Sequence, residues 1–460
     1  MKKKTIILSL PYAMSIKNLI DKKFIDEFKN FNLIIFSPVK KNKSLFFKLI
    51  NKNNIKYYRY YKINILLNLI NFLINNLTTI KLLKKKKILT LETFKKMHSN
   101  NCSNEVIKPF KFLNNKILNL FSNDMIIGIL KALRFFVTII FYPNYLFIFL
   151  KYKPKIFFTA HPFANIDFPL QLFSNFFNLK KVALIHSWDN LTSKFKMSYD
   201  FKKLLVWNNT LKKQAKYIYG YKDKDVKVVG IPNLEDFHNF KPQTKEIFFN
   251  KNNLDNKKKL IIIFGPSDQY VPHIEDLIYK IASMSHKNEF SKKTQLWFRS
   301  HPAGNFNFNK FKKFNCIKME KPPNSFTAKS FNEIGNFKKD LFLFGNLIYY
   351  SDIIVSFYST TILDAIYFDK PVINPLINLD KKNSIYCKQE AYVDMWSHMK
   401  IIKKLKGVTY VKNYDQFKKY VNIYLNDKNF NQKGRRQIFK SQLNYSLGSS
   451  RKNIAYEIIN

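Results

Sequence analysis

The sequence is short of glycine, cysteine and acid. Only 10 glycines stand among abundant Lys, Asn, Ile and Phe, a mixture that reads as AT-rich coding bias. Cys102, Cys316 and Cys387 lie far apart with no C-x-x-C spacing, which argues against a disulfide framework or a zinc site and suits a reducing cytoplasm. Acidic residues number 31 against 79 Lys and Arg, a formal net charge of +48. Such a balance ordinarily points to nucleic acid or an anionic membrane. Here the coding bias supplies a competing cause. The lysines are spread along the chain and no RNP, zinc-finger or KH pattern occurs, so no nucleic-acid partner is expected. Long apolar runs are missing too. Asparagines interrupt residues 63–80, and Pro143 and Asn144 split residues 135–150, so neither stretch spans a hydrocarbon core of about 30 Å as one straight helix. The basic start and apolar residues 5–10 resemble a signal peptide, but the run is too short and predicts a first strand instead.

What is present is core material and α/β rhythm. Hydrophobic residues make up 46% of 460, enough for two or three domains at about 150 residues each. Apolar runs predict strands at 5–10, 33–36, 156–159, 182–185, 204–207 and 226–229. Helical spacing falls between them, at 15–24, 167–177 and 210–219. Residues 63–80 carry Leu66, Leu67, Ile70, Leu73, Ile74 and Leu77 at helical steps, with asparagines opposite. The lysines after them suit a helix lying on an anionic membrane surface. The same pattern also suits a helix packed on the domain with a solvated lysine run behind it. Residues 135–150 read as a buried or interfacial segment. Polar residues 233–259 read as a linker. A second unit then follows, with strands at 260–264, 295–298, 353–355, 372–375 and 408–411 and helices at 273–285 and 415–425. The expected domains are 1–240, with insertions at 63–150, then 257–430, and a last helix over 431–460 that packs back on the first domain.

Residues 350–375, YSDIIVSFYSTTILDAIYFDKPVINP, form one strand, turn, helix and strand step with hydroxyls at the turn. Ser359, Thr360 or Thr361 could serve only as an N-cap. If the sheet is parallel, however, this turn meets Gly265-Pro266-Ser267-Asp268 and Arg299-Ser300-His301 at one edge. A close backbone approach, a guanidinium, an imidazole and hydroxyls beside helix N–H groups suit a diphosphate, and Asp364 one turn on suits a ribose. In the first unit, Ala160-His161-Pro162 and His186-Ser187-Trp188-Asp189-Asn190 follow strands. Asp189 or His161 could take a proton from an attacking hydroxyl. Trp188 fits either a sugar-stacking face or a core position.

The segments HSWDNLTSK, VWNNTLKKQAKYIYG, VKVVGIP, FRSHP and SDIIVSFYSTTILDAIYFDKPVI, within residues 155–375, resemble the GT-B-type glycosyltransferases of bacterial surface-polysaccharide biosynthesis. They also resemble CDP-glycerol glycerophosphotransferases and, in the second domain, the non-hydrolysing UDP-GlcNAc epimerases. The resemblance implies an α/β GT-B fold of two Rossmann-like domains facing a central cleft, the second binding a nucleotide donor. It implies that Arg299 and His301 reach the donor phosphates, that Ser359 and Thr360 hold the phosphate at the helix N-terminus, that Asp364 meets the ribose or sugar, and that the DNLTSK loop faces the acceptor. Phe195 departs from the glycine that often follows SK in this group.

The expected activity is transfer of a sugar from a nucleotide-sugar donor to a surface-glycan or lipid-linked acceptor, in the cytoplasm or peripherally on the inner face of the plasma membrane. Asp189 is the expected base if the reaction inverts, with His161 next. No D-x-D stands at a strand end, so no metal is expected, and no cofactor beyond the donor substrate. Two alternatives are polyol-phosphate transfer from a CDP-glycerol-type donor and a non-catalytic basic protein that binds membrane or nucleic acid.

Overall fold

The computed structural model describes residues 3–40, 50–99, 116–266, 271, 273–302, 304, 306–323, 331–379 and 384–460. Ser267 lies outside them. The first sheet holds β1 (Thr5–Ser9), β2 (Asn32–Ser37), β3 (Ile55–Arg59), β4 (Ile156–Thr159), β5 (Lys180–Leu184), β6 (Lys203–Val206) and β7 (Val226–Val228), in the order β3-β2-β1-β4-β5-β6-β7. The second holds β8 (Lys259–Phe264), β9 (Thr294–Arg299), β10 (Ile317–Glu320), β11 (Ile353–Val355), β12 (Val372–Pro375) and β13 (Thr409–Val411), in the order β10-β9-β8-β11-β12-β13. Every pairing is parallel. Helices cover both faces, so central strands such as β1 and β11 are buried throughout and read as unbroken apolar runs.

Strand order reverses between β1 and β4 in the first sheet and between β8 and β11 in the second. Loops diverge at such a switch point and leave a crevice beyond the strand ends. The register keeps those ends level: Ser9 pairs with Thr159 and Thr159 with Ala183, while Phe264 pairs with Arg299 and Val355 with Ile263.

The structure departs from the sequence expectations in several places. β3 and β10 were not expected because they are edge strands, IKYYR and IKME, only partly buried and without an apolar run. Residues 15–24 are two helices, Ala13–Leu19 and Lys22–Asp26. The second begins where the Asp21 carboxylate accepts from Phe24 N at 2.7 Å. The linker region carries helices Leu234–His238 and Lys245–Lys251, tied down by buried Phe237, Phe248 and Phe249. The last segment is not one helix. It runs as Gln432–Ile438, a π-helical turn Phe439–Leu443, and Ser450–Ile459. Helices Leu89–Ser99, Phe331–Tyr350, Gln389–Met395 and Ser397–Lys404 were not anticipated. Cys316 is free, but Cys387 is disulfide-bonded, against the expectation of unpaired thiols.

The insertion includes helix Ile65–Lys85, against which helix Asp124–Phe141 packs, followed by Pro143–Tyr152 after an 82° bend. Pro143 starts the third helix because a first-turn residue needs no N–H partner. After the second sheet the chain returns to the first. Ile454, Ala455 and Ile458 join the core beneath β1, β2 and β4, and Lys203 pairs with Glu457 at 2.7 Å. Arg451 grips Asp236 at 2.8 Å, Asp21 at 3.3 Å and the carbonyl of Asn18 at 2.7 Å.

Candidate functional site

Between the two sheets lies a cavity of about 590 Å³. The loop after β5 supplies Ser187, Trp188, Asp189, Ser193 and Lys194 to one wall. Gly265, Pro266, His301, Tyr358, Ser359 and Thr360 form the wall opposite, from the loops after β8, β9 and β11. Phe72, Phe94, Trp396 and His398, together with residues 162–165 after β4 and Phe195, Lys196 and Ser198, help to line the rest.

Asp189 is the only acidic side chain lining the cavity among the described residues. The hydroxyls of Ser187 and Ser193 donate to its two oxygens, each at 2.5 Å. Burial alone would raise its pKa, but His398, Lys194 and the two hydroxyls outweigh that and hold it below the ordinary carboxylate value. Three neutral imidazoles surround this charge. Burial pushes His398 and His186 down to about 4 despite the pull of Asp189. His161 is driven well below its ordinary value by burial, then by His186 and Lys194. Trp188 packs on His398 with centroids 4.9 Å apart, and Trp396 flanks the same ring at 5.7 Å. Nδ1 of His398 has no hydrogen-bond partner.

On the opposite wall the Ser359 hydroxyl accepts from Thr361 N at 3.3 Å, while Thr360 stands at the helix start with no capping bond from its side chain. A Cβ at Gly265 would come within 3.0 Å of the Phe298 ring and 3.3 Å of Ser300 Cα, so a larger residue there requires these neighbours to shift by a few tenths of an ångström.

The structure thus brings Ser187, Trp188, Asp189, Gly265, His301, Ser359 and Thr360 to one cavity, and leaves six expected residues off its lining. Arg299 is buried inside the second domain, where Glu320 at 3.0 Å and Asp340 take its guanidinium. Thr361 bonds Ser356 at 2.6 Å. Asp364 faces Lys17 of the first domain; burial lifts its pKa to about 7, and Lys17 opposes the rise. His161 sits edge-on to Tyr12 at 4.9 Å, His186 lies 3.3 Å from the sulfur of Met14, and buried Asn190 accepts from Ser187 N at 3.1 Å. Those three support the loop from behind. Lys194 reaches the cavity as the last residue of the DNLTSK loop, whereas nothing in the sequence marks Tyr358, Trp396 and His398 as lining residues. The nearest to a signal is W-S-H at 396–398, a histidine two places from one of only four tryptophans.

No protein-family model and no curated protein sequence matches the chain. Solved structures match it end to end. A UDP-N-acetylglucosamine 2-epimerase structure covers 100% of this chain and 96% of its own, at TM-score 0.53 and 9% identity. The UDP-GlcNAc 2-epimerase of Methanocaldococcus jannaschii covers 99% of both chains at 0.51 and 12%. That of Neisseria meningitidis, solved bound to UDP-GlcNAc, covers 99% of both at 0.52 and 11%. The match includes both sheets. The chain has the GT-B fold. Its cavity is therefore the GT-B interdomain cleft, and identities this low carry the fold alone.

Proposed function

We propose that the chain transfers a sugar from a nucleotide-sugar donor to a glycan or lipid-linked acceptor across this cleft. The observation that carries the reading is the asymmetry of the walls: one carboxylate, Asp189, held below its ordinary pKa on the first domain, facing hydroxyls and an imidazole on the second. Ser359, Thr360, His301 and the backbone at Gly265 meet the donor diphosphate, and Lys194 on the opposite lip supplies the positive charge that Arg299, paired internally, does not. Trp188 and Trp396 offer ring faces to a sugar. In a single displacement, Asp189 accepts the proton of the acceptor hydroxyl as its oxygen bonds the anomeric carbon and the nucleoside diphosphate leaves with the bonding pair. UDP-GlcNAc bound to the Neisseria epimerase supports the ligand class, and the epimerase matches favour 2-epimerisation as a second reading.

A thermal-shift screen across UDP-, GDP-, CDP- and dTDP-linked sugars tests the proposal. Saturable stabilisation by one nucleotide family is expected, at about 2.7 kcal/mol for ligand at a hundred times its Kd. No shift with any of them overturns it. Incubating the stabilising compound with and without acceptor glycans separates transfer from epimerisation.

A further inference from the structure

A second cavity, of about 480 Å³, opens beside the cleft, between helices Ile65–Lys85 and Asp124–Phe141 and residues 196–200. Lys131, Arg134, Lys181 and Lys196 line it, with one carboxylate, Asp200. Arg134 is only 1% exposed. Its guanidinium lies 4.0 Å from the centre of the Phe168 ring and 5.2 Å from that of Tyr199. It donates to the Tyr199 hydroxyl at 3.2 Å and to Asn71 Oδ1 at 3.4 Å, while Nε has no hydrogen-bond partner. Buried guanidinium groups are ordinarily matched by a carboxylate or phosphate. None of these four cations forms an ion pair among the described residues. Burial first, then repulsion by Arg134 and Lys196, lowers the pKa of Lys131. Burial lowers that of Lys181, with Asp200 opposing. The cavity is short of an anion.

The helix that carries Lys131 and Arg134 turns an apolar stripe outward. Met125, Ile129, Leu133, Phe136 and Ile140 recur at helical steps and are 45% to 71% exposed. Beyond the 82° bend Phe147 and Leu150 remain exposed as well. Of the twenty-one large apolar residues that are exposed among the described residues, fourteen fall within residues 61–150. A patch of this size on a water-facing surface marks an interaction site. Lys131 and Lys151 lie on the same two helices, and Lys84 and Lys85 end a third with Lys86 and Lys87 directly after it, so the partner is apolar in its interior and negative at its surface.

We propose that this cavity holds the phosphate of a membrane-embedded phosphorylated lipid, with Arg134 at its floor, Lys131, Lys181 and Lys196 around it, and the Met125 to Ile140 stripe against the hydrocarbon. Lys196 and Ser198 line both cavities, so the phosphate end of the lipid lies next to the cleft that contains Asp189. The assignment rests on the transferase reading for making that lipid the acceptor, but not for binding it.

The test is sedimentation of the full chain with phosphatidylcholine vesicles, with and without phosphatidic acid, and with inorganic pyrophosphate as competitor. Phosphatidic acid is expected to strengthen binding by at least roughly tenfold, and Lys131→Glu to remove most of that gain. Lys151→Glu, an equal charge change outside the cavity, is expected to remove much less. Phe136→Ser with Ile140→Ser is expected to weaken binding to every vesicle. Circular dichroism of each variant must match the parent. Equal losses from Lys131→Glu and Lys151→Glu, or equal binding to vesicles lacking phosphatidic acid, overturn the proposal. So does stabilisation by pyrophosphate without vesicle binding, which would mark a free-phosphate site. A persisting nucleotide-sugar shift with failed vesicle binding removes this assignment alone. Vesicle binding without any nucleotide shift removes the donor reading alone.

Discussion

Asp189 and His398 come from opposite halves of the chain to line one cavity, and each acts on the other's charge. The carboxylate pulls the imidazole pKa upward against burial, and once protonated, below about pH 4, His398 in turn favours the ionised form of Asp189. An ionised carboxylate beside a neutral imidazole suits a base that must carry its charge before the proton arrives.

Replacing Asp189 by Asn keeps the shape of the loop and removes the base. Turnover with the nucleotide sugar that stabilises the protein most is expected to fall by about 10² to 10⁴. The stabilisation by that donor should persist. Unchanged nucleoside diphosphate release would move the base elsewhere in the cleft.

His398 makes stability depend on pH in a defined direction. Its pKa is near 6.5 in the unfolded chain and about 4 when folded, so the unfolded chain takes up a proton first as pH falls. Stability is complete above about pH 6.5 and is lost as pH falls towards 4. His398 contributes up to about 3 kcal/mol of that loss. His186 acts in the same sense. Tm measured from pH 7.5 to 4.5 should fall less steeply in His398→Gln; an identical slope would contradict the burial argument.

Arg299 separates a structural role from a phosphate-binding one. Its partners Glu320 and Asp340 are mostly buried, and Glu320 also accepts from Trp297 Nε1 at 2.8 Å. Arg299→Met strands both carboxylates, at an expected loss of about 3–5 kcal/mol in denaturant unfolding. Near-native stability with weakened donor binding would instead place the guanidinium on the phosphates.

Two glycines should respond oppositely to alanine. A Cβ at Gly434 would sit 2.4 Å from the backbone of Lys406 and 2.5 Å from Gly407 N, where no side chain can yield, so Gly434→Ala is expected to destabilise by about 2–3 kcal/mol or more. Gly128, inside helix Asp124–Phe141, has nothing within 4 Å of that position. There alanine should stabilise by about 0.5–1 kcal/mol. Urea midpoints measured side by side decide both.

The central strands were legible because burial on both faces forces an unbroken apolar run, as in Leu260 to Phe264 and Ile353 to Val355. Edge strands β3 and β10 were not, because one exposed face breaks that run. The helices over 389–404 escaped for another reason: the cavity position of Trp396 and His398 depends on packing against residues remote in sequence, Phe94 and Trp188 among them, and nothing local announces that. The turn at 356–361 reads as a strand-to-helix junction. Its helix is only seven residues long, however, and Asp364 faces Lys17 instead of the cavity.

By itself, then, the sequence determined which segments become buried strands and which loops follow them, since that information lies in short-range apolar periodicity and in hydroxyl, proline and glycine punctuation. It thereby determined that Asp189, His301 and Ser359 stand at strand ends. Only the tertiary structure decided which of those side chains share a cavity. Arg299 went to Glu320 and Asp340 because a guanidinium buried next to carboxylates is bound by the nearest of them, and nearness across a folded chain is not written in sequence spacing.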